Sequence, residues 1–137
     1  MATYFYEDPE KKVIKKELLS EKAEDIAKSL FIPLRNGKEK PGITSSQIRR
    51  FYNEIKSLEK QLSSKQFKVL LPLIKMVKSK VAYASNPARR TGSRITKEFR
   101  NFIVNCIDNI NDEKDFKAFT LHFEAVMGFF YGKGVKQ

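Results

Sequence analysis

Apolar side chains recur at intervals of three and four along most of the chain, the period of helices with one buried face. The clearest run is Ile48, Phe51, Tyr52, Ile55, Leu58 and Leu62, beside a polar stripe of Arg49, Asn53, Lys56 and Lys60. Thr44 or Ser45 opens this helix, since either hydroxyl can accept from amides two and three residues on. Phe67, Leu70, Leu71, Ile74, Val77 and Val81 predict the next helix, from about Lys65 to Lys80, closed by Val81–Ala84. Pro72 falls inside it; a proline there removes an amide and crowds the preceding turn, which predicts a kink or break near Leu71. Ile95, Phe99, Phe102, Ile103, Cys106, Ile107 and Ile110 mark a further helix. The last begins after Asn111 or Asp112, with Glu113 in its first turn, and buries Phe116, Phe119, Phe123, Val126, Met127 and Phe130 before Gly132 and Gly134 stop it. Leu121 and Phe129 fall off that face, which suggests deeper burial or a partner surface.

Upstream the pattern is shorter. Val13, Ile14, Leu18 and Leu19 suit a short helix within 10–19, and Ala23, Ile26, Ala27 and Leu30 give the inward face of a following segment that Ser20 could cap. One helix or two remains open at this level. Pro33 ends that unit, and Leu34–Ile43, with Asn36-Gly37 and Pro41-Gly42, reads as a loop. Tyr4, Phe5 and Tyr6 form an apolar cluster in an arm over 1–9, equally suited to packing back on the body, docking on a neighbour or fraying. No stretch alternates convincingly as a strand. The expected fold is all-α: a compact bundle of about five helices with short loops, with 1–22 as an N-terminal arm and short helix and 23–137 as the bundle domain.

Charge changes this picture. Formal net charge is +11, and Lys65–Arg100 holds ten basic residues against a single acid, Glu98. The segments 1–34 and 101–137 each carry one more acid than base. That concentration points to a polyanionic partner rather than to general solubility. Between Asn86-Pro87 and Ile95 a loop gathers Arg89, Arg90 and Arg94 around Gly92, with Ser85, Thr91 and Ser93 as further donors, a set suited to phosphate oxygens.

Candidate chemistry is sparse. The one histidine, His122, adjoins the apolar stripe of the last helix, and the one cysteine, Cys106, sits at a core position, which rules out an internal disulfide and suits a reducing compartment. No metal-ligand spacing, phosphate-loop glycine pattern or hydrolase elbow is present, so no enzyme, cofactor or metal is expected. Asp112, Glu113 and Asp115 read as helix-start electrostatics. Met1–Pro9 lacks the form of a signal peptide and no run is long enough for a membrane span, so a cytoplasmic protein is expected. The basic helices also lack a continuous exposed apolar side with interfacial Trp, which argues against membrane association.

Two binding classes compete with a nucleic-acid backbone binder. One is a helix-turn-helix-like DNA-binding regulator, because Thr44–Arg50 resembles the start of a recognition helix. The gap of about a dozen residues from Leu30 or Phe31 to Thr44 is much longer than a proper turn of three or four. The other is a structural helical adaptor without nucleic-acid contact.

The string Ile43-Thr44-Ser45-Ser46-Gln47-Ile48-Arg49-Arg50-Phe51-Tyr52, followed by Leu70-Leu71-Pro72-Leu73-Ile74-Lys75-Met76 and Lys80-Val81-Ala82-Tyr83-Ala84, resembles the small helical subunit of type III-A CRISPR (Csm) effector complexes. A helix bearing Phe99 and Phe102 and an aromatic last helix complete the pattern, over roughly Ala23 to Tyr131. The resemblance implies a non-catalytic subunit of an RNA-guided antiviral effector, present in several copies stacked as a filament. Its implied partners are target RNA, CRISPR guide RNA, and the backbone and large subunits, with cleavage chemistry left to other chains. It also implies that Arg49 contacts RNA backbone, that Lys75 and Lys78 line the channel, and that Arg89, Arg90 and Arg94 clamp the strand. With Arg50, Lys56, Lys68 and Lys80 these make up the candidate RNA-binding set. Surfaces for self-stacking and for the backbone subunit are implied too, with Leu121, Phe129 and Tyr131, and less directly Tyr4–Tyr6, as candidates.

Overall fold

The computed structural model describes residues 3–86, 88 and 95–135. Five helices form the bundle: α1 (Glu21–Ser29), α2 (Ser45–Lys60), α3 (Phe67–Ala84), α4 (Lys97–Asp108) and α5 (Glu113–Gly132). Single 3₁₀ turns at Lys16–Leu19 and Gln61–Ser63 precede α1 and follow α2. α5 is the central element. It packs chiefly on α1 and then on α2, while α4 lies mainly on α3.

The helix starts follow local chemistry. Thr44 caps α2 with a reciprocal pair: its Oγ1 accepts from the Gln47 amide at 3.0 Å, and the Gln47 Oε1 accepts from the Thr44 amide at 2.8 Å. Thr96 caps α4 through the Phe99 amide, and Asp112 caps α5 through the Asp115 amide at 2.8 Å. Ser20 does not cap α1; its hydroxyl bonds the Lys16 carbonyl and Glu21 instead. The helix expected within 10–19 is only the 3₁₀ turn, because Tyr6 bridges Ile14 antiparallel and holds that stretch extended. α3 runs unbroken through Pro72. The carbonyl that loses its amide partner there belongs to Lys68, which is exposed, so water can satisfy it.

The loop before α2 contains a small hairpin, contrary to the strand-free expectation. β1 (Phe31–Pro33) pairs antiparallel with β2 (Glu39–Pro41), Phe31 opposite Pro41. Asn36-Gly37 forms its tip: the Asn36 side chain accepts from the Lys38 amide, and Gly37 takes φ +79°. The Gly42 amide closes its base on the Leu30 carbonyl at 2.6 Å.

The core is aromatic. Phe51, Phe99, Phe102, Phe119 and Phe123 interlock between α2, α4 and α5, with Phe102 and Phe123 perpendicular at 5.5 Å. The N-terminal residues join it. Phe5 and Tyr6 are buried, and the Tyr6 hydroxyl donates to the Lys114 carbonyl at 2.6 Å. Phe129 is half-buried and lines a small cleft with Ala27 and Lys28, while Leu121 stays exposed at 43%.

Candidate nucleic-acid interface

The candidate cations divide among several surfaces according to which neighbour each helix face meets. The α2–α3 seam opens as a groove of about 350 Å³ whose lining includes Gln47, Arg50, Glu54, Lys80 and Tyr83. Lys80 reaches across it to pair with Glu54. Arg50 is exposed and makes no ion pair with a described residue. Tyr83 is 66% exposed, an aromatic face beside these donors that charge counting alone overlooks. Ala84 and Ile95 line the same groove, and the Ile95 amide donates to the Ala84 carbonyl at 3.1 Å. The chain therefore leaves and re-enters the bundle at one point of the groove rim. Arg89, Arg90 and Arg94, which the sequence places between those two anchors, lie outside the described residues.

Arg49 sits one position earlier on α2 and turns toward α5. Its guanidinium lies 5.9 Å from the Tyr131 ring, and the Tyr131 hydroxyl in turn meets the Ser45 hydroxyl at 3.0 Å. Tyr131 thereby orients the first turn of α2.

The α3–α4 side holds a second group with a different occupation. The Lys75 ammonium donates to the carbonyls of Ile107 at 2.6 Å and Ile110 at 2.9 Å, and so caps the C-terminal end of α4. Burial pushes Lys75 below the ordinary lysine value, and the neighbouring Lys78 charge acts in the same sense against Asp108 and Asp115. Lys78 pairs with Asp108. Lys56 lies elsewhere again, in a cleft with Glu59, Lys60, Glu113 and Lys117. Its 2.7 Å hydrogen bond to Glu59 holds its ammonium above the usual value. Lys68 stands exposed near the start of α3.

Groups that elsewhere carry chemistry are here structural. Cys106 is buried, which pushes its thiol up to about 12. His122 is buried with Nδ1 against the Leu18 carbonyl, so that nitrogen carries the proton and donates; burial takes its pKa down to about 4. Lys11 bridges Asp112 at 2.6 Å and the buried Asp115 at 2.9 Å. Burial alone would lower Lys11, but hydrogen bonds and charges from the two carboxylates raise it. Asp115 is thus more than a helix-start charge: it is a buried tie between the N-terminal segment and α5. Among the described residues no cluster of His, Cys, Asp or Glu could hold a metal, and no helix is long and apolar enough to cross a membrane.

One part of a sequence expectation is corrected. α3, a basic helix, does carry a continuous exposed apolar side, although the chain has no Trp to go with it: Val69 (53%), Leu73 (45%) and Met76 (55%), with the exposed Pro72 between them. The spacing 69, 72, 73, 76 was visible in the sequence as a second stripe, masked by the stronger buried one.

The fold is thus a basic helical bundle in which, among the described residues, Arg50 stands without an ion pair along the α2–α3 groove. Residues 14–133 match the family model Csm2 Type III-A, and the chain belongs to that family. Family membership supports a non-catalytic subunit role in a type III-A CRISPR complex. No curated protein and no solved structure matches the chain.

Proposed function

We propose that this chain contacts the backbone of target RNA, or of the guide–target duplex, through the rim of the α2–α3 groove, and stacks with copies of itself in an antiviral effector. The observation that carries the reading is the groove itself: Arg50 without a carboxylate partner among the described residues, Arg49 one position before it on α2, and the described ends of the arginine-bearing segment, Ala84 and Ile95, joined at its rim. Arginine forks beside a groove contact phosphates without reading bases, which suits a complex in which guide pairing supplies sequence. Lys75, Lys78, Lys80 and Lys56 contribute less directly, because each already serves an internal partner. A helix-turn-helix reading is disfavoured by the β1–β2 hairpin, which fills the space between α1 and α2 where a tight turn is required.

The test is single-stranded RNA binding across a salt series, alone and in the assembled complex. Arg49→Glu/Arg50→Glu should weaken binding and reduce the slope of log affinity against log salt by about 0.7 per lost contact. Lys28→Glu/Lys117→Glu, on other surfaces, should leave that slope nearly unchanged. Equal retention of RNA by both double variants at moderate salt refutes the assignment.

A further inference from the structure

α3 is apolar on two sides. Leu70, Ile74, Val77 and Val81 face the core, while Val69, Pro72, Leu73 and Met76 repeat at i, i+3, i+4 and i+7 on the side facing solvent. From Val69 to Met76 the strip runs about 10 Å along the helix. An outward stripe at helical spacing is the complement of a second helix, and methionine at its centre is the side chain best able to adapt to a partner. Single exposed apolar residues mean little; four contiguous ones on one helix face mark an interaction surface.

Charge selects the occupant. No Asp or Glu occurs between Glu59 and Glu98. Lys78 and Lys80 are neutralised by Asp108 and Glu54, but the other lysines around the strip are not. Lys65 bonds only the neutral Gln61 side chain, Lys75 only backbone carbonyls, and Lys68 is exposed. A second copy presenting this same face would set these lysines against their own kind, whichever way it ran. A helix with a matching apolar stripe and flanking carboxylates would neutralise them, as charges beside a coiled-coil seam select partners.

We propose that the outer face of α3, centred on Val69, Leu73 and Met76, docks an acidic amphipathic helix from a different subunit of the complex. This makes α3 a protein-binding surface, distinct from the α2–α3 groove on its flank.

The experiment uses the chain coexpressed with the other subunits of its type III-A complex and recovered as the assembly. Leu73→Gln/Met76→Gln removes the apolar strip without touching the core, and circular dichroism melting verifies that it folds as the parent does. Zero-length carbodiimide crosslinking of the parent assembly, read by mass spectrometry, should join Lys65 or Lys68 to carboxylates on a helix of a different polypeptide. The variant should lose that crosslink and be recovered in the assembly at least fivefold less, while the free variant binds single-stranded RNA as the parent does. Arg49→Glu/Arg50→Glu should show the reverse pattern, RNA lost and the crosslink kept. Parent-like recovery of Leu73→Gln/Met76→Gln overturns the proposal. Crosslinks that join only two copies of this chain, separated by isotope labelling, overturn it in favour of self-association. Loss of RNA binding by the free variant overturns it in favour of a nucleic-acid surface.

Discussion

Replacing Lys75 by methionine separates an internal cap from an RNA contact at one residue. Methionine keeps the unbranched stem that packs between α3 and α4 and removes the ammonium that bonds Ile107 and Ile110. The Ile107 carbonyl retains the Ile110 amide at 3.1 Å, so it is not orphaned. Among the described residues no second donor reaches the Ile110 carbonyl, and Ile110 itself is buried. A hydrogen bond from a charged donor contributes about 1.5–3 kcal/mol, and a stranded carbonyl costs a similar amount. Recovering the desolvation cost of the ammonium offsets part of this. The expected net loss is about 2 kcal/mol, which for a chain of this length lowers Tm by about 8 °C. Urea unfolding should show a reduced midpoint with an unchanged slope, since the exposed surface is the same. RNA affinity, measured below the melting range, should change little. A melting point within about 2 °C of the parent together with weakened RNA binding would refute the capping argument and return Lys75 to the RNA surface.

Acid sensitivity should trace to His122. Its folded pKa of about 4 lies below the unfolded value of 6.5, so the unfolded chain binds the proton first. Stability therefore falls as pH drops from about 6.5 to about 4, by up to about 3 kcal/mol, and His122→Gln should flatten that part of the profile in denaturation experiments. Lys11→Met leaves the buried Asp115 carboxylate with, among the described residues, the Asn111 amide at 3.0 Å as its remaining hydrogen-bond donor, and should cost about 3 kcal/mol by thermal melting. Gly42→Ala places a methyl 2.5 Å from the Thr96 Cγ2 and 3.0 Å from the Leu30 carbonyl, and rotating Thr96 away breaks the α4 cap; a loss of about 2 kcal/mol is expected in urea unfolding.

The helical framework was legible because it rests on local signals. The α2 start is written in Thr44 and Gln47, and every residue of the stripe from Ile95 to Ile110 is buried where its spacing placed it. The hairpin was not legible. Phe-Ile-Pro and Glu-Lys-Pro are too short to alternate, and their register comes from the Asn36-Gly37 tip and from Gly42 meeting Leu30. The basic surface was legible in amount but not in arrangement. Lys75, Lys78 and Lys80 look equivalent in sequence, yet their partners lie on α4, α4 and α2, respectively, some 26 to 35 residues away. Tyr83 and Gln47 become groove-lining residues only once α2 and α3 are docked.

The central position of α5 bears on how the protein is made. α1 finds its main packing surface on a helix that begins at Glu113, and Tyr6 is tied to Lys114. α1 thus waits for α5. A ribosome releases these residues at about 5–20 per second, so α1 stays without its main support for several seconds. Local helices can form early, but the aromatic core closes only once α5 has emerged to meet α1 and α2.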